Sequence, residues 1–461
     1  MKLALLAPAG AMHRYDGLFH KNLHYAPITL ALLAALVPPE LGAEIAIYDE
    51  TAHPIPLDLE ADIVGITCIT GTAGRCYRFA DHFRSRGIRV ILGGVHPSLM
   101  PEEAGLHADS VVVGLGEDSF PRALRDHAAG RLQRLYRQEE ATTIRGRPLP
   151  RKDLLDRKRY ITLNTVEAVR GCCHSCAFCA YPQAFGKNVH TRAVDEIVEE
   201  IRTLKGKFVV FPDVNMISDL TFARELFTAL IPLKKWWFGL STTLVGQDPE
   251  LMDLLRASGC KGLLIGFESV NQESQTDMHK GMNAVAGYRA LMRNLHRRGI
   301  MVMGCFAFGS DGDDKDVFER TVALCDRIKI DLPRFAVITP FPRTPFYEEL
   351  EAQGRIVERN WALYDVEHVV FEPKRMMKGE LEQGIARAWA AAYGIGSILR
   401  RIDFRNLPSI NLLFAVYLAA NIGYRKYARH YRKFDEAAMA DNSDIPLPVS
   451  ATARGAAGAG A

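Results

Sequence analysis

The chain has 461 residues, 57 Lys+Arg against 54 Asp+Glu, a formal net charge of +3 and 48% hydrophobic residues. That length predicts two to four domains with a large core and excludes intrinsic disorder for most of the chain. So near a balance of charge argues against a nucleic-acid partner, which usually needs a larger basic excess. Nine cysteines, an odd count over a long chain, argue against a secreted disulfide framework and for a reducing, cytoplasmic compartment.

Residues 1–134 alternate strand-length apolar runs with helical stretches. The runs are 3–6, 44–48, 62–67, 89–93 and 110–113, and the helical patterns include 28–37 and 73–86. The first run is too short for a signal segment and reads as a buried strand. Such alternation predicts a doubly wound, Rossmann-like parallel sheet. Gly71, Gly93, Gly94, Gly114 and Gly116 fall just after strand ends. Ligands bind at that edge of such sheets, and glycine lets the backbone approach a large one closely. A flavin or nicotinamide would need G-x-G-x-x-G after the first strand, and residues 7–17 lack it.

Residues 135–163, basic and proline-containing, read as a linker. A second alternating unit spans 164–365, with strands at 164–169, 208–212, 236–241, 262–267, 301–306 and 334–339. Helical patterns separate them; in 194–204 the positions Val194, Ile197, Val198 and Ile201 show the 3.6-residue period. Six such units predict a partial (βα)6 barrel of TIM type, with its site at the carboxyl ends of the strands. Residues 366–438 read as a helical region, and 439–461, rich in Ala and Gly, as a disordered tail. Overall, this is an α/β chain in three parts. The apolar stretch 410–423 is short of the ~20 residues a bilayer span needs. With Arg425, Lys426, Arg429, Arg432 and Lys433 behind it, it is either a buried helix with a solvated end or an interfacial helix in peripheral contact with a membrane.

The strongest signal follows the first strand of the second unit: Cys172, Cys176 and Cys179, spaced C-x3-C-x2-C. Three thiolates on one loop can wrap one face of an iron–sulfur cube and leave one iron open. A Cys3His zinc site completed by His174 or His190 is the competing reading. Cys173 is the bystander of the loop.

These cysteines resemble the signature of the radical S-adenosylmethionine (SAM) superfamily. The segments 211–215, 266–269, 308–314 and 339–345, with 92–98 and 113–117 in the first unit, are similar to motifs of its cobalamin-dependent subset. The region after 366 resembles the helical tail of hopanoid and bacteriochlorophyll methylases. This resemblance implies a [4Fe–4S] cluster on the three cysteines, SAM held by Asp213, Asn215, Ser241 and Glu268, and cobalamin in the first domain. There the loop of Thr70 and Gly71 would lie near the lower corrin face. Gly93 and Gly94 would pass the nucleotide tail, with Gly114 and Gly116 on the same edge, and His96 would touch the corrin rim. The cobalt-ligating D-x-H-x-x-G is absent after the first strand, so no protein histidine is expected on cobalt; the same absence leaves open a domain that no longer binds the corrinoid.

The implied reaction is methylation of an unactivated carbon of a small molecule. One SAM supplies the methyl group carried as methylcobalamin, and a second supplies the 5′-deoxyadenosyl radical. The anaerobic magnesium-protoporphyrin monomethyl ester cyclase stands in the same neighbourhood, so cobalamin-assisted cyclisation is the alternative, and a non-enzymatic corrinoid or redox sensor a third. An electron donor such as flavodoxin or ferredoxin is implied. Trp236, Trp237, Trp361 and the apolar C-terminal helix read either as core or as room for a large apolar substrate, and the strand position of Trp236 and Trp237 favours core.

Overall fold

The computed structural model describes residues 1–10, 26–402, 412–431 and 445. The expected disordered tail, Ile445 apart, lies outside the described residues, as does the loop 11–25.

The first unit is a six-stranded sheet in the order β2-β1-β3-β4-β5-β6. Its strands are β1 (Lys2–Ala7), β2 (Glu44–Asp49), β3 (Ile63–Thr67), β4 (Arg89–Gly93), β5 (Ser110–Val113) and β6 (Leu135–Arg137). Every neighbouring pair is parallel. Apolar runs such as Leu3–Leu6 are buried because helices cover both faces of a parallel sheet. Two separate cores result, one around Phe79 and Phe83, the other around Leu5 and Phe120. β6 extends this sheet past the boundary expected at residue 134. The remaining part of the expected linker is packed rather than free: Ala26 donates its N–H to the Thr162 carbonyl, and Lys152 pairs with Glu200.

The second unit is a five-stranded parallel sheet, β13-β12-β11-β10-β9. It comprises β9 (Phe208–Val210), β10 (Trp236–Thr242), β11 (Cys260–Glu268), β12 (Met301–Phe308) and β13 (Leu332–Val337). The expected strand at 164–169 contributes only a bridge, Thr165 to Val210, before β7 (Val169–Arg170) turns away to pair with β8 (His190–Thr191). The sheet therefore curves as an open half-barrel. Its outer face is sealed by helices: Trp237 stacks on Phe227 and meets Phe211 edge-on. Each of these fully buried rings is worth on the order of 2 kcal/mol of hydrophobic stabilisation.

The inner face is layered, as strand parity requires. Leu240, Leu264, Met303 and Leu332 share one level by register, and Thr242, Gly266, Cys305 and Arg334 the next level toward the carboxyl ends. The C-terminal helices Lys378–Ala392, Ile395–Arg401 and Leu412–His430 pack beside β13. Asn421 of the last helix donates to the Asp331 carbonyl, and Tyr424 reaches the Met303 sulfur. Among the described residues no helix is long and apolar enough to cross a membrane.

Candidate active site

The cysteine loop leaves β7 at Gly171, whose φ of +111° and close approach to the Asn188 carbonyl exclude a side chain. Cys172, Cys176 and Cys179 are free, partly buried thiols, whereas Cys173 is exposed. Burial pushes the Cys176 thiol up to about 11 and raises that of Cys179, with Lys280 opposing in both cases. Thiols so placed ionise only when a metal takes the charge. Among the described residues, no three His, Cys, Asp or Glu groups converge on a point that would hold a single ion. Three thiols on one loop can take three corners of a cube, each on its own iron.

Of the four residues expected to hold SAM, Asp213 and Asn215 bond to the cysteine loop and its approach, and the buried Oδ2 of Asp213 has no hydrogen-bond partner among the described residues. Asp213 is 3% exposed, and its Oδ1 accepts the N–H groups of Ala168 and Val169. Burial and the neighbouring Glu167 raise its carboxyl to about 7. Asn215 donates to the Cys172 sulfur at 3.8 Å, and Ser218 donates to the Gly171 carbonyl. Ser241 shares its register level with the core residue Ile265, on the helix-covered face. The neighbouring Thr242 faces the lumen, its buried hydroxyl without a hydrogen-bond partner. One residue of strand parity separates the two faces.

Glu268 does point inward. It ends β11 with φ +61° where the β11–β12 register slips, a sparsely populated conformation that functional sites retain at a cost of about 1–3 kcal/mol. Its carboxylate pairs with the buried Lys280. A Cβ at Gly266 would collide with both groups. Lys280, which the spacing of the sequence does not single out, thereby places a positive charge beside Cys176, Cys179 and Glu268.

In the first unit a cavity of about 320 Å³ opens at the carboxyl edge of the sheet, as expected for a doubly wound fold. Gly93, Gly94, Gly114 and Gly116 line it. Gly94 adopts φ +104°, and a Cβ there would sit 2.7 Å from the Cys68 carbonyl oxygen. The half-exposed Ile69 presents an aliphatic side chain and no donor atom to the same space, and among the described residues no histidine lines it. The residues expected beside it behave differently. Thr70 is buried and Gly71 packs against the Tyr364 carbonyl and Asp365. His96 is fully buried, engaged with Thr70 and Glu103, and does not reach the cavity wall. Trp361 donates to the same Glu103, so this network fastens the first sheet to the end of the barrel. Of the expected substrate aromatics, Trp237 is core and Trp361 is in this network, while Trp236 is half-buried under Lys207 at 4.2 Å.

The far wall of the cavity is made by Glu117, Glu167, Arg170 and Tyr181, the last three flanking the cysteine loop. Arg170 bonds Glu117 at 2.5 Å and Glu167 at 2.6 Å, and Arg147 bonds Glu167 at 2.5 Å. The glycine edge and the residues on either side of the cysteine loop, Arg170 and Tyr181, thus line one space, a concavity with room for backbone-close contact on its glycine side.

Residues 166–325 match the model of the radical SAM superfamily, and 25–124 match the B12 binding domain. The bacteriochlorophyllide d C-12(1)-methyltransferase of Chlorobaculum tepidum is 30% identical over 83% of this chain and 85% of its own length. The chain belongs to the cobalamin-dependent radical SAM enzymes. The anaerobic magnesium-protoporphyrin IX monomethyl ester cyclase of Cereibacter sphaeroides is 25% identical, over 80% of this chain and 66% of its own. In fold, the chain is similar to the radical SAM methyltransferase TsrM from Kitasatospora setae, at TM-score 0.62 and 18% identity over 95% of this chain and 99% of that one. The family's cofactors are a [4Fe–4S] cluster, SAM and cobalamin, and the residues present fit them: three free thiols on one loop, and a glycine-lined cavity at the carboxyl edge of the first sheet. The enzyme reading therefore stands over the sensor reading, and a small-molecule substrate goes with it.

Proposed function

We propose that this enzyme methylates an unactivated carbon of a large, mostly apolar small molecule, with a chlorophyllide-like tetrapyrrole as the first substrate class. The observation that carries the reading is the single space joining the Gly93–Gly94 edge to the Arg170–Tyr181 flank of the cysteine loop. When bound, the cluster supplies the electron that cleaves SAM, and the corrin carries the methyl group. The chain's own residues orient and exclude. Asp213, Asn215 and Ser218 fix the thiol loop, and we assign Glu268, Lys280 and Thr242 as the set that faces SAM. Two apolar layers, Phe238 with Leu240, Leu264, Met303 and Leu332, give the substrate a dry floor.

The domain limits 1–134, 135–163, 164–365 and 366–438 serve as working units, with β6 moved into the first. The cluster loop is reached from outside at the exposed Cys173, and a one-electron carrier such as a flavodoxin or ferredoxin is the reductant that suits this approach. The thiol-dependent chemistry supports a cytoplasmic setting. Ile395, Leu399, Leu418 and Ile422 are exposed on adjoining helices, which supports peripheral membrane contact. Flotation with phosphatidylglycerol vesicles is expected for the wild type and lost in Leu399→Asp/Ile422→Asp; equal recovery of both rejects the contact.

Anaerobic reconstitution with iron, sulfide, cobalamin and SAM, followed by mass spectrometry with chlorophyllide substrates, tests the main reading. Expected are a substrate gain of one CH2 with both S-adenosylhomocysteine and 5′-deoxyadenosine. Formation of 5′-deoxyadenosine without S-adenosylhomocysteine overturns methyl transfer, and oxygen insertion or ring closure transfers the reading to the cyclase chemistry of the Cereibacter relative.

A further inference from the structure

The inner face of the half-barrel carries a cation that the cofactor chemistry does not use. Arg334 sits on the edge strand β13, at the same register level as Cys305 and Gly266. Parity therefore sends its side chain into the lumen above the apolar layers of Leu264, Met303 and Leu332. It is half-buried, and it makes no hydrogen bond or ion pair among the described residues. Lys280, the other cation of this face, is held by Glu268. A guanidinium that faces the lumen without a direct hydrogen-bond partner is placed to take an anion that arrives from elsewhere.

Its surroundings are arranged for a guest. Tyr424 and Tyr427 of the C-terminal helix stand beside it, together with Cys305 and Glu367. The Glu367 side chain takes a hydrogen bond from Tyr427, its backbone carbonyl accepts the Tyr431 hydroxyl, and its buried Oε2 has no hydrogen-bond partner among the described residues. It follows Val366, whose φ of +65° is unusual for a β-branched residue. The Val366 carbonyl accepts the Val337 N–H at 2.8 Å, which draws this segment across the end of β13. Burial raises the Glu367 carboxyl to about 7, against the opposing pull of the Arg334 charge.

We propose that Arg334 receives a carboxylate on the substrate, so that the lumen selects a free acid on a large apolar body over its neutral ester. The fork of an arginine matches a carboxylate bidentately, and a charge-assisted pair in a dry site discriminates strongly. This rests on the methylation reading above and names the substrate class of the same site. SAM also bears a carboxylate, so the test separates the two sources.

The probes are pheophorbide a and its methyl ester, titrated by fluorescence quenching onto anaerobically loaded wild type, Arg334→Met and Arg334→Lys, with SAM affinity measured in parallel. Iron, sulfide and corrinoid content report folding of each variant. Wild type is expected to prefer the acid by about tenfold or more. Arg334→Met loses that preference, Arg334→Lys keeps part of it, and SAM affinity holds within about twofold. Equal binding of acid and ester by wild type, binding of neither, or a Met variant that keeps the preference overturns the assignment, as does loss of SAM affinity alone. In these cases the methylation reading survives as long as the protein loads its cofactors; failure of wild type to load them removes that reading instead.

Discussion

Cys176→Ala, purified and reconstituted without oxygen, is expected to lose its iron and sulfide and to form neither 5′-deoxyadenosine nor methylated product. Cys172→Ala and Cys179→Ala should do the same, while Cys173→Ala keeps both cluster and activity. The difference follows from position. The three motif thiols are half-buried on one loop, whereas Cys173 is exposed beside His174, 3.7 Å from its Nε2. Three ligands leave a cube with one open iron, and two leave it without a stable seat. Elemental analysis with the near-ultraviolet charge-transfer absorbance reads the cluster, and product analysis reads the chemistry. A Cys176→Ala protein with full iron and full turnover would falsify the assignment of the loop.

Much of this site was legible because it is local. The cysteine spacing lies within eight residues, and the parallel strands announced themselves by apolar runs between 3.6-period helices. What was lost depends on contacts across the fold. Ser241 and Thr242 are both polar at a strand end, and only the register with Ile265 or Gly266 says which faces in. His96 has a loop setting that suggests a ligand contact, yet Glu103 and Thr70, seven and twenty-six residues away, consume both ring nitrogens. β6 is three residues long with two of them exposed, too brief for a periodic signal. Lys280 sits in a segment with no pattern at all. Arg334 offered one available clue, a charge within the otherwise apolar run 332–338, which marks an edge strand or a site.

Glu167→Gln is expected to lower stability at neutral pH by on the order of 3 kcal/mol and to release corrinoid. Breaking a buried ion cluster by removing one member leaves the remaining charges uncompensated. Here Arg170 and Arg147 would share only Glu117, and Arg147, whose side chain is 2% exposed, has no route to water. Burial pushes the Glu167 carboxyl up, but the charges of Arg170 and Arg147 outweigh it and hold the group at about 2. A carboxyl depressed in the folded state contributes stability above its ordinary pKa of about 4.3, and that contribution is lost as pH falls toward 2. Asp213 acts with the opposite sign: its folded-state carboxyl is raised to about 7, so stability from this group declines as pH climbs from about 4 to 7. Because Glu167 is one cause of that rise, the Gln variant should bring Asp213 down and flatten the decline. Denaturant midpoints from pH 3 to pH 8 separate the two effects. Adding Arg147→Met to Glu167→Gln removes the surplus positive charge, so the double variant should recover part of the loss; an additive double variant would mean that the four side chains do not act as one cluster. Since Glu117 belongs to the first sheet's helix and Glu167 and Arg170 to the approach of the cysteine loop, that coupling is also what keeps the glycine-lined cavity and the thiols in one frame.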